Sequence, residues 1–426
     1  MNMMKNGFFI GIFLTIIWLS FSCTTPQSKM KRINKTAVEI LGNPDYPAIS
    51  YGGYRTTSRE NQPTIAELKE DIKILHAMGI RILRTYNVHL AQAENILKAI
   101  SELKKEDSNF EMYVMLGAWI DCLNAWTDRV VNHDVESPRN EVEIARAVEL
   151  TNQYADIVKI IAVGNEAMVK WATSYYVQPY VILKWVTHLQ SLKKEGKLPK
   201  DLWITSSDDF ASWGGGDQQY HTPDLEALIK AVDYVSMHTY PFHNTHYNPG
   251  FWDIPYEDTK NKTQRKLIDE AMIRARDYAI SQYQSVKKYV ESLGVSKPIH
   301  IGETGWATVS NGHYGRKGSH AADQYKQAHY FKLLSEWTKE NQITCFYFEA
   351  FDEPWKEAHN PKGSENHFGL FTVDGKAKYA LWDEVNKGTF KGLTRNGAPI
   401  TKTFKGKSDN LFISVIPPRI LEPISD

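Results

Sequence analysis

Pro298-Ile-His-Ile-Gly-Glu303-Thr-Gly-Trp306 is a short apolar run that ends abruptly in a carboxylate, a glycine and a tryptophan. It reads as a buried strand that delivers Glu303 to its C-terminal edge. Upstream, Ile157-Val-Lys-Ile-Ile-Ala-Val-Gly-Asn165-Glu166 repeats the layout, with Glu166 as the first charged group after the run. Two strands thus present two carboxylates. Held on separate rigid strands and facing one cleft, such a pair suits cleavage of a glycosidic bond: one acid protonates the leaving oxygen, the other serves as nucleophile or as base for water. Either glutamate alone fits equally well as a strand-end acid paired with a loop. Their matched context favours chemistry.

Outward from these two runs the same unit recurs. Ala48 to Arg55 is a first strand opened by Gly52-Gly53, and Thr64 to Gly79 has apolar residues at helical spacing before a terminal glycine. Ile80 to Asn87 is the second strand. The third, Met112 to Ile120, is followed by a long excursion, Asp121 to Tyr154, read as a polar loop and then a helix; Ile157 to Val163 is the fourth. Leu202 to Ser206, Tyr234 to Met237, the run ending at Glu303 and Ile343 to Glu349 complete eight strands, each separated by helical sequence. Eight such repeats predict an α/β fold, a closed (β/α)8 TIM barrel. An open doubly wound sheet would want a glycine-rich phosphate turn after the first strand, and Gly52-Gly53 lacks the GxGxxG spacing.

In a barrel the polar tail of each strand carries the chemistry. Those tails supply Tyr54, Arg84, Tyr86, Asn87, Trp119, Asn165, His238, Tyr240, Trp306, Glu349, Glu353 and Trp355 as candidate substrate-binding or supporting groups. Arg84 and Asp209 also fit as a mutual buried salt bridge at the barrel mouth. Trp213, before Gly214-Gly-Gly216, reads as a ring on a flexible turn, and His238 to Asp258 reads as a long structureless aromatic loop. The chain has 12 tryptophans and 22 tyrosines, enough flat rings to line a groove for a neutral polymer, although many belong to the core. Lys+Arg 50 balance Asp+Glu 50, which gives no support to nucleic acid or anionic surfaces as partners.

Lys5 followed by an uncharged run from Gly7 to Leu19 is an export signal, and Ser22-Cys23 at its end matches a bacterial lipoprotein processing site. The expected organisation is a signal peptide over 1–22, a polar linker over 23–45, the barrel over 46–386, and an extension over 387–426 in which Ile413 to Pro418 reads as an edge strand. Cys23 is the expected lipid attachment point, on the outer membrane or cell surface of a bacterial envelope, with ordinary secretion as the alternative. Cys122 and Cys345 do not make a disulfide framework and are expected as free thiols. No spacing suggests a metal site, so no metal or cofactor is expected, and the protein is expected to be a monomer.

Three motifs in register, Ala162-Val-Gly-Asn165-Glu166, Ile301-Gly-Glu303-Thr-Gly-Trp306 and Phe348-Glu-Ala-Phe-Asp352-Glu353-Pro-Trp355-Lys356, resemble those of glycoside hydrolase family 17, the β-1,3-glucanase family of the retaining barrel glycosidases. The resemblance runs from about Ile49 to Trp382. It implies Glu166 as general acid/base, Glu303 as nucleophile, Asn165 as partner of the sugar 2-hydroxyl and Tyr240 as donor to Glu303. Glu349, Glu353 and Lys356 match the family's strand-eight cluster. The implied activity is retaining endo-hydrolysis of β-1,3-glucan, with laminarin favoured. An exo-acting enzyme, a β-1,3-glucanosyltransferase of the same fold and a non-catalytic glycan-binding protein are the alternatives. The lipoprotein start, the 121–154 excursion and the loop after Tyr240 depart from the compact plant members. They bear on cleavage pattern more than on bond chemistry.

Overall fold

The computed structural model describes residues 34–422. Eight parallel strands form the barrel: β1 (Ala48–Ser50), β2 (Ile82–Arg84), β3 (Tyr113–Ala118), β6 (Val158–Asn165), β7 (Trp203–Asp209), β8 (Val235–His238), β9 (Ile299–Gly305) and β10 (Cys345–Phe348). They pair in chain order and close through β1 on β10, where Ala48 aligns with Phe346 on one side and Ile82 on the other. The (β/α)8 expectation holds.

Strands wrapped on their outer face by helices read as continuous apolar runs, because neither face meets water. Helices α2 (Ile65–Ala77), α3 (Ala91–Glu106), α4 (Arg139–Gln153), α5 (Pro179–Lys194), α6 (Pro223–Ala231), α8 (Gln264–Ser292) and α9 (Gln324–Glu340) form that wrapping. The start of α2 shows how the sequence sets a boundary. Thr64 Oγ1 accepts from the Glu67 N–H at 3.3 Å, while Glu67 Oε2 accepts from the Thr64 N–H at 2.8 Å, so the orphan amides of the first turn are satisfied reciprocally. Leu68, Ile72 and Leu75 then recur on the buried face.

Four expectations about the rest of the chain need correction. The expected linker up to residue 45 contains a short helix, α1 (Ala37–Ile40), whose Ala37 and Ile40 pack with Ile82, Tyr113, Ile160 and Phe346. Asn34 to Asp45 thus close the barrel floor. The excursion after β3 is a hairpin, β4 (Cys122–Leu123) against β5 (Asn132–Glu136), before α4. The segment after Tyr240 is not structureless: α7 (Pro241–Tyr247) and two 3-10 turns, Pro249–Phe251 and Tyr256–Thr259, run through it.

The C-terminal segment is no appendage. It carries α10 (Trp382–Lys387), the hairpin β11 (Thr394–Arg395) and β12 (Ala398–Pro399), and α11 (Ser408–Phe412), while Ile413 to Pro418 forms no strand. Arg395 is fully buried and pairs with Asp71 of α2 at 2.8 and 3.2 Å, and Arg419 reaches Asp253 at 2.8 Å. Its scant apolar periodicity hid this, since isolated buried residues, Phe390, Ile400 and Leu411, join the polar anchors in holding it. Cys122 and Cys345 are free, as expected, Cys345 being half-buried. Cys23 and the signal peptide lie outside the described residues.

Candidate active site

Every chemical group of the site comes from the C-terminal end of a barrel strand, which is where parallel barrels place function. Arg84 ends β2, Asn165 ends β6 with Glu166 next in the chain, Asp209 ends β7, His238 ends β8, and Glu303 lies within β9. These ends open into a cleft of about 1520 Å³ that both Glu166 and Glu303 line. Oxygens of the two carboxylates and a ring nitrogen of His238 lie within 4.8 Å of one another.

Two backbone features bring the pair together. Glu166 sits at φ 47°, a left-handed conformation that a glutamate adopts at a cost of about 1–3 kcal/mol and that turns its side chain off the strand line. Beside Glu303, a Cβ on Gly302 would come within 2.3 Å of the Ser207 and Ser236 hydroxyls. Only glycine lets β9 lie this close to β7 and β8.

The surroundings of the two acids differ in kind. Arg84, 1% exposed, donates through Nη1 to Glu303 Oε1 and, at 2.9 Å, to the Gly302 carbonyl. The Tyr240 hydroxyl donates to Glu303 Oε2 at 2.7 Å. Burial pushes the Glu303 carboxyl up, but His238, the Arg84 guanidinium and the Tyr240 hydroxyl outweigh it and bring it down to about 2. Burial also lowers His238 to about 4, so at neutral pH the imidazole is uncharged. At that pH Arg84 supplies the positive charge that keeps Glu303 ionised. Glu166 has no cation of its own: burial first, then the Glu303 charge, raise it to about 8. One acid is therefore protonated and its neighbour ionised between those limits, which is the division of labour an acid and a nucleophile need.

His238 is wholly buried beneath both acids. Its Nδ1 lies 3.1 Å from Glu166 Oε1 and its Nε2 2.8 Å from Ser207 Oγ. It braces the site from below without lining the cleft. Asn165 Oδ1 accepts from Arg84 Nη2 at 2.6 Å, which leaves its Nδ2 to donate into the cleft. Arg84 therefore serves Asn165 and Glu303, with which it forms a buried salt bridge, and the alternative Arg84–Asp209 pair does not form; Asp209 Oδ1 instead accepts from the Ala211 N–H at 2.8 Å. The Tyr86 ring lies under the Arg84 guanidinium at 4.7 Å, and its hydroxyl is buried with no partner.

The strand-eight cluster stands on the cleft wall. Lys356 Nζ lies 2.6 Å from Glu349 and 3.7 Å from Glu353. Burial pushes Glu349 well up and works against the Lys356 ammonium, yet the two carboxyls overcome that and raise Lys356. A contact this short is a charge-assisted hydrogen bond. Glu353 also accepts from Trp355 Nε1 at 2.9 Å, and Trp355 packs edge-on to Tyr54 with Arg59 over its face at 4.4 Å. Tyr54, Tyr86, Asn87, Trp119, Glu353, Trp355 and Lys356 all line the cleft, whereas Glu349 lies behind it.

Two aromatic expectations fail. Trp213 and Trp306 are 0% exposed, and their indole N–H groups donate to the carbonyls of Ser236 and Ala321 at 2.9 and 2.8 Å. Both are core pieces. Rings that line the cleft without having been singled out include Trp126, Trp171, Tyr175 and Phe348. Trp126 falls within the excursion, whose length was the available signal. Glu166, His238 and Glu303 are the one group among the described residues spaced to hold a metal ion. Arg84 and Tyr240 already occupy both oxygens of Glu303, so a cation there would have to displace an arginine.

Comparison with known proteins places this geometry. Residues 48–369 match the BtgE/BtgC glycoside hydrolase domain. An endo-laminarinase from Formosa Hel1_33_131, solved by crystallography, is 66% identical and superposes with a TM-score of 0.90 over 92% of this chain and 100% of that one. A glucan 1,3-beta-glucosidase of Arthroderma benhamiae is 26% identical over 76% of this chain and 86% of its own. A putative glucan endo-1,3-beta-glucosidase btgC of Aspergillus niger is 24% identical, and the match spans only 41% of its length. A β-1,3-glucanosyltransferase of Rhizomucor miehei, 20% identical with a TM-score of 0.54, shares the fold. With the domain match running through all eight barrel strands and both carboxylates, this chain belongs to the BtgE/BtgC glycoside hydrolase family.

Proposed function

We propose that the protein is an endo-acting β-1,3-glucanase that works with retention of configuration, with laminarin as favoured substrate. The observation that carries this reading is the pairing of a protonated Glu166 and an ionised Glu303 whose oxygens lie within 4.8 Å. Oxygens this close fit the carboxyl spacing of retaining glycosidases, near 5 Å, and fall short of the roughly 6.5–9.5 Å that inverting enzymes keep for a water. The 66% identity to an endo-laminarinase along the whole of that chain supports the substrate and the endo mode.

The chemistry follows from the contacts. A Glu303 oxygen attacks the anomeric carbon while Glu166 gives its proton to the glycosidic oxygen, and the bond to the departing sugar breaks. Arg84 and the Tyr240 hydroxyl orient the nucleophile, and Asn165, whose Oδ1 is taken by Arg84, would donate through Nδ2 to the 2-hydroxyl. Esterification removes the Glu303 charge, so the pKa of Glu166 falls and it becomes the base that deprotonates water. Water, giving its proton to Glu166, then attacks the anomeric carbon, the bond from that carbon to the Glu303 oxygen breaks, and a β product is released with Glu303 again a carboxylate.

The chain is further proposed to be a monomer anchored by lipid at Cys23 to the bacterial envelope, on the outer membrane or cell surface. The apolar run that ends at Ser22-Cys23 supports it. Replacing Cys23 by Ser is expected to abolish labelling by a fatty-acid analogue and to free the protein from membranes; unchanged labelling would refute the assignment. For the activity, the test is a time course on laminarin with chain lengths resolved. A ladder of laminari-oligosaccharides is the expected result. Glucose or one short product alone would mean exo action, products longer than an input oligosaccharide would mean transfer, and binding with no new reducing ends would mean a glycan-binding protein.

A further inference from the structure

The hairpin β4–β5 carries an aromatic surface that the chemistry described so far does not use. Trp126, at its tip, is 58% exposed and held at φ 62°, with Asn124 in the same turn at φ 65°. A tryptophan gains nothing from burial in such a place, and its backbone conformation costs free energy. The turn is nonetheless fastened. Arg139 Nη2 donates to Asp121 Oδ2 at 2.9 Å and to the Ala125 carbonyl at 3.0 Å, and Asn124 Nδ2 donates to the Val130 carbonyl at 2.8 Å. Trp126 stacks on Tyr175 at 5.0 Å with 22° between the planes, and Trp119 joins both rings at 6.2 and 5.3 Å. Trp171, 61% exposed, also lines the cleft, from the loop that carries Tyr175.

The position of this surface relative to the two acids gives it a direction. β3, which Trp119 follows directly, stands opposite β9, which bears Glu303, in the ring of eight strands; Tyr175 and Trp171 belong to the loop that follows Glu166. β6, whose end carries Glu166, pairs directly with β3, Ala118 aligning with Val163. The rings therefore stand on the acid's side of the barrel mouth, across from the strand of the nucleophile. In retaining cleavage the nucleophile faces the anomeric carbon and the acid faces the leaving oxygen, so the expelled sugar lies on the acid's side.

We propose that Trp126, Tyr175, Trp119 and Trp171 form a preformed platform for the leaving-group part of the glucan, reaching beyond the first expelled glucose, and that this grip sets which internal bond is cut. The inference rests on the glucanase reading and extends it to the departing chain. Aromatic rings suit this task because the C–H faces of glucose pack on them while the hydroxyls stay at the edges.

The test compares two substrates in wild type and Trp126→Ala: laminarihexaose tagged at its reducing end, and β-laminaribiosyl fluoride, whose leaving group is too small to reach the hairpin. The ratio of kcat/KM for the hexaose to that for the fluoride should fall about tenfold, the scale of one lost ring's apolar contact. Weaker grip on the departing side shifts bound hexaose toward the donor side, so the tagged fragments should become shorter. Trp126→Phe should restore much of both, and Trp171→Ala should change them in the same direction, which keeps the test decisive if Trp126→Ala folds poorly. An unchanged ratio in both alanine variants, or longer tagged fragments, would overturn the proposal while leaving the glucanase reading intact. A wild type that cleaves neither compound would overturn that reading, and this one with it.

Discussion

Neutralising Glu303 isolates the electrostatic coupling at the heart of the site. With carboxylate oxygens within 4.8 Å and an effective dielectric constant of about 20, the Glu303 charge disfavours ionisation of Glu166 by about 3.5 kcal/mol. At 1.36 kcal/mol per pKa unit, Glu303→Gln should therefore lower the Glu166 pKa from about 8 to between about 5 and 6. It should not return to the ordinary glutamate value, because burial, the larger cause, remains. Carbon-13 labelling of glutamate carboxyls, with Glu166 assigned by its loss in Glu166→Gln, lets the titration be read by NMR in both backgrounds. A Glu166 pKa that stays near 8 in Glu303→Gln would refute the coupling, and a wild-type value near 4.5 would refute the assignment of Glu166 as the protonated partner. The same coupling makes Glu166 a base once Glu303 is esterified, so the experiment mimics the charge state of the second step.

Other perturbations test separate parts of the account. Glu166→Ala should lose at least about 10²-fold more in kcat/KM on laminari-oligosaccharides than on an activated aryl laminarioside, and azide should rescue it to a β-glucosyl azide; equal losses with no adduct would remove Glu166 from the acid role. Arg395→Met leaves Asp71 buried with only Arg55, 2.9 Å away, as cation, and should cost about 3 kcal/mol in denaturant unfolding; a cost near zero would show that the C-terminal segment is loosely held. Glu166 binds its proton more tightly folded than unfolded, so its contribution to stability is complete below about 4.5 and is lost as pH rises through about 8. Glu166→Gln should thus gain in Tm relative to wild type across that window, and a difference independent of pH would contradict the raised pKa.

The barrel and its two acids were legible because both rest on local pattern. A strand buried on both faces has to be apolar, so the first polar residues after the run mark its C-terminal part: Asn165 ends β6, Glu166 follows it and Glu303 lies two residues before the end of β9. Legibility failed where partners are distant in sequence. Nothing near Arg84 indicates that it serves Glu303, 219 positions away, and nothing near Arg395 indicates Asp71, 324 positions away. Aromatic residues were the hardest to place. Trp213 beside three glycines looked exposed, yet the glycines are small so that Tyr289 and Ser285 of α8 can pack against them, which draws the indole inward. Trp126 has no such marker, since its role depends on a hairpin whose strands pair over only a few residues.

The most direct test of the central claim is covalent trapping. A 2-deoxy-2-fluoro-β-laminaribiosyl fluoride forms the glycosyl-enzyme ester faster than it turns over, and peptide mass spectrometry then locates the sugar. Stoichiometric labelling is expected on Glu303 within Ile299–Gly305, with the label absent in Glu303→Gln. A label on Glu166, Glu349 or Glu353, or steady inactivation-free turnover with an α product by NMR, would contradict it.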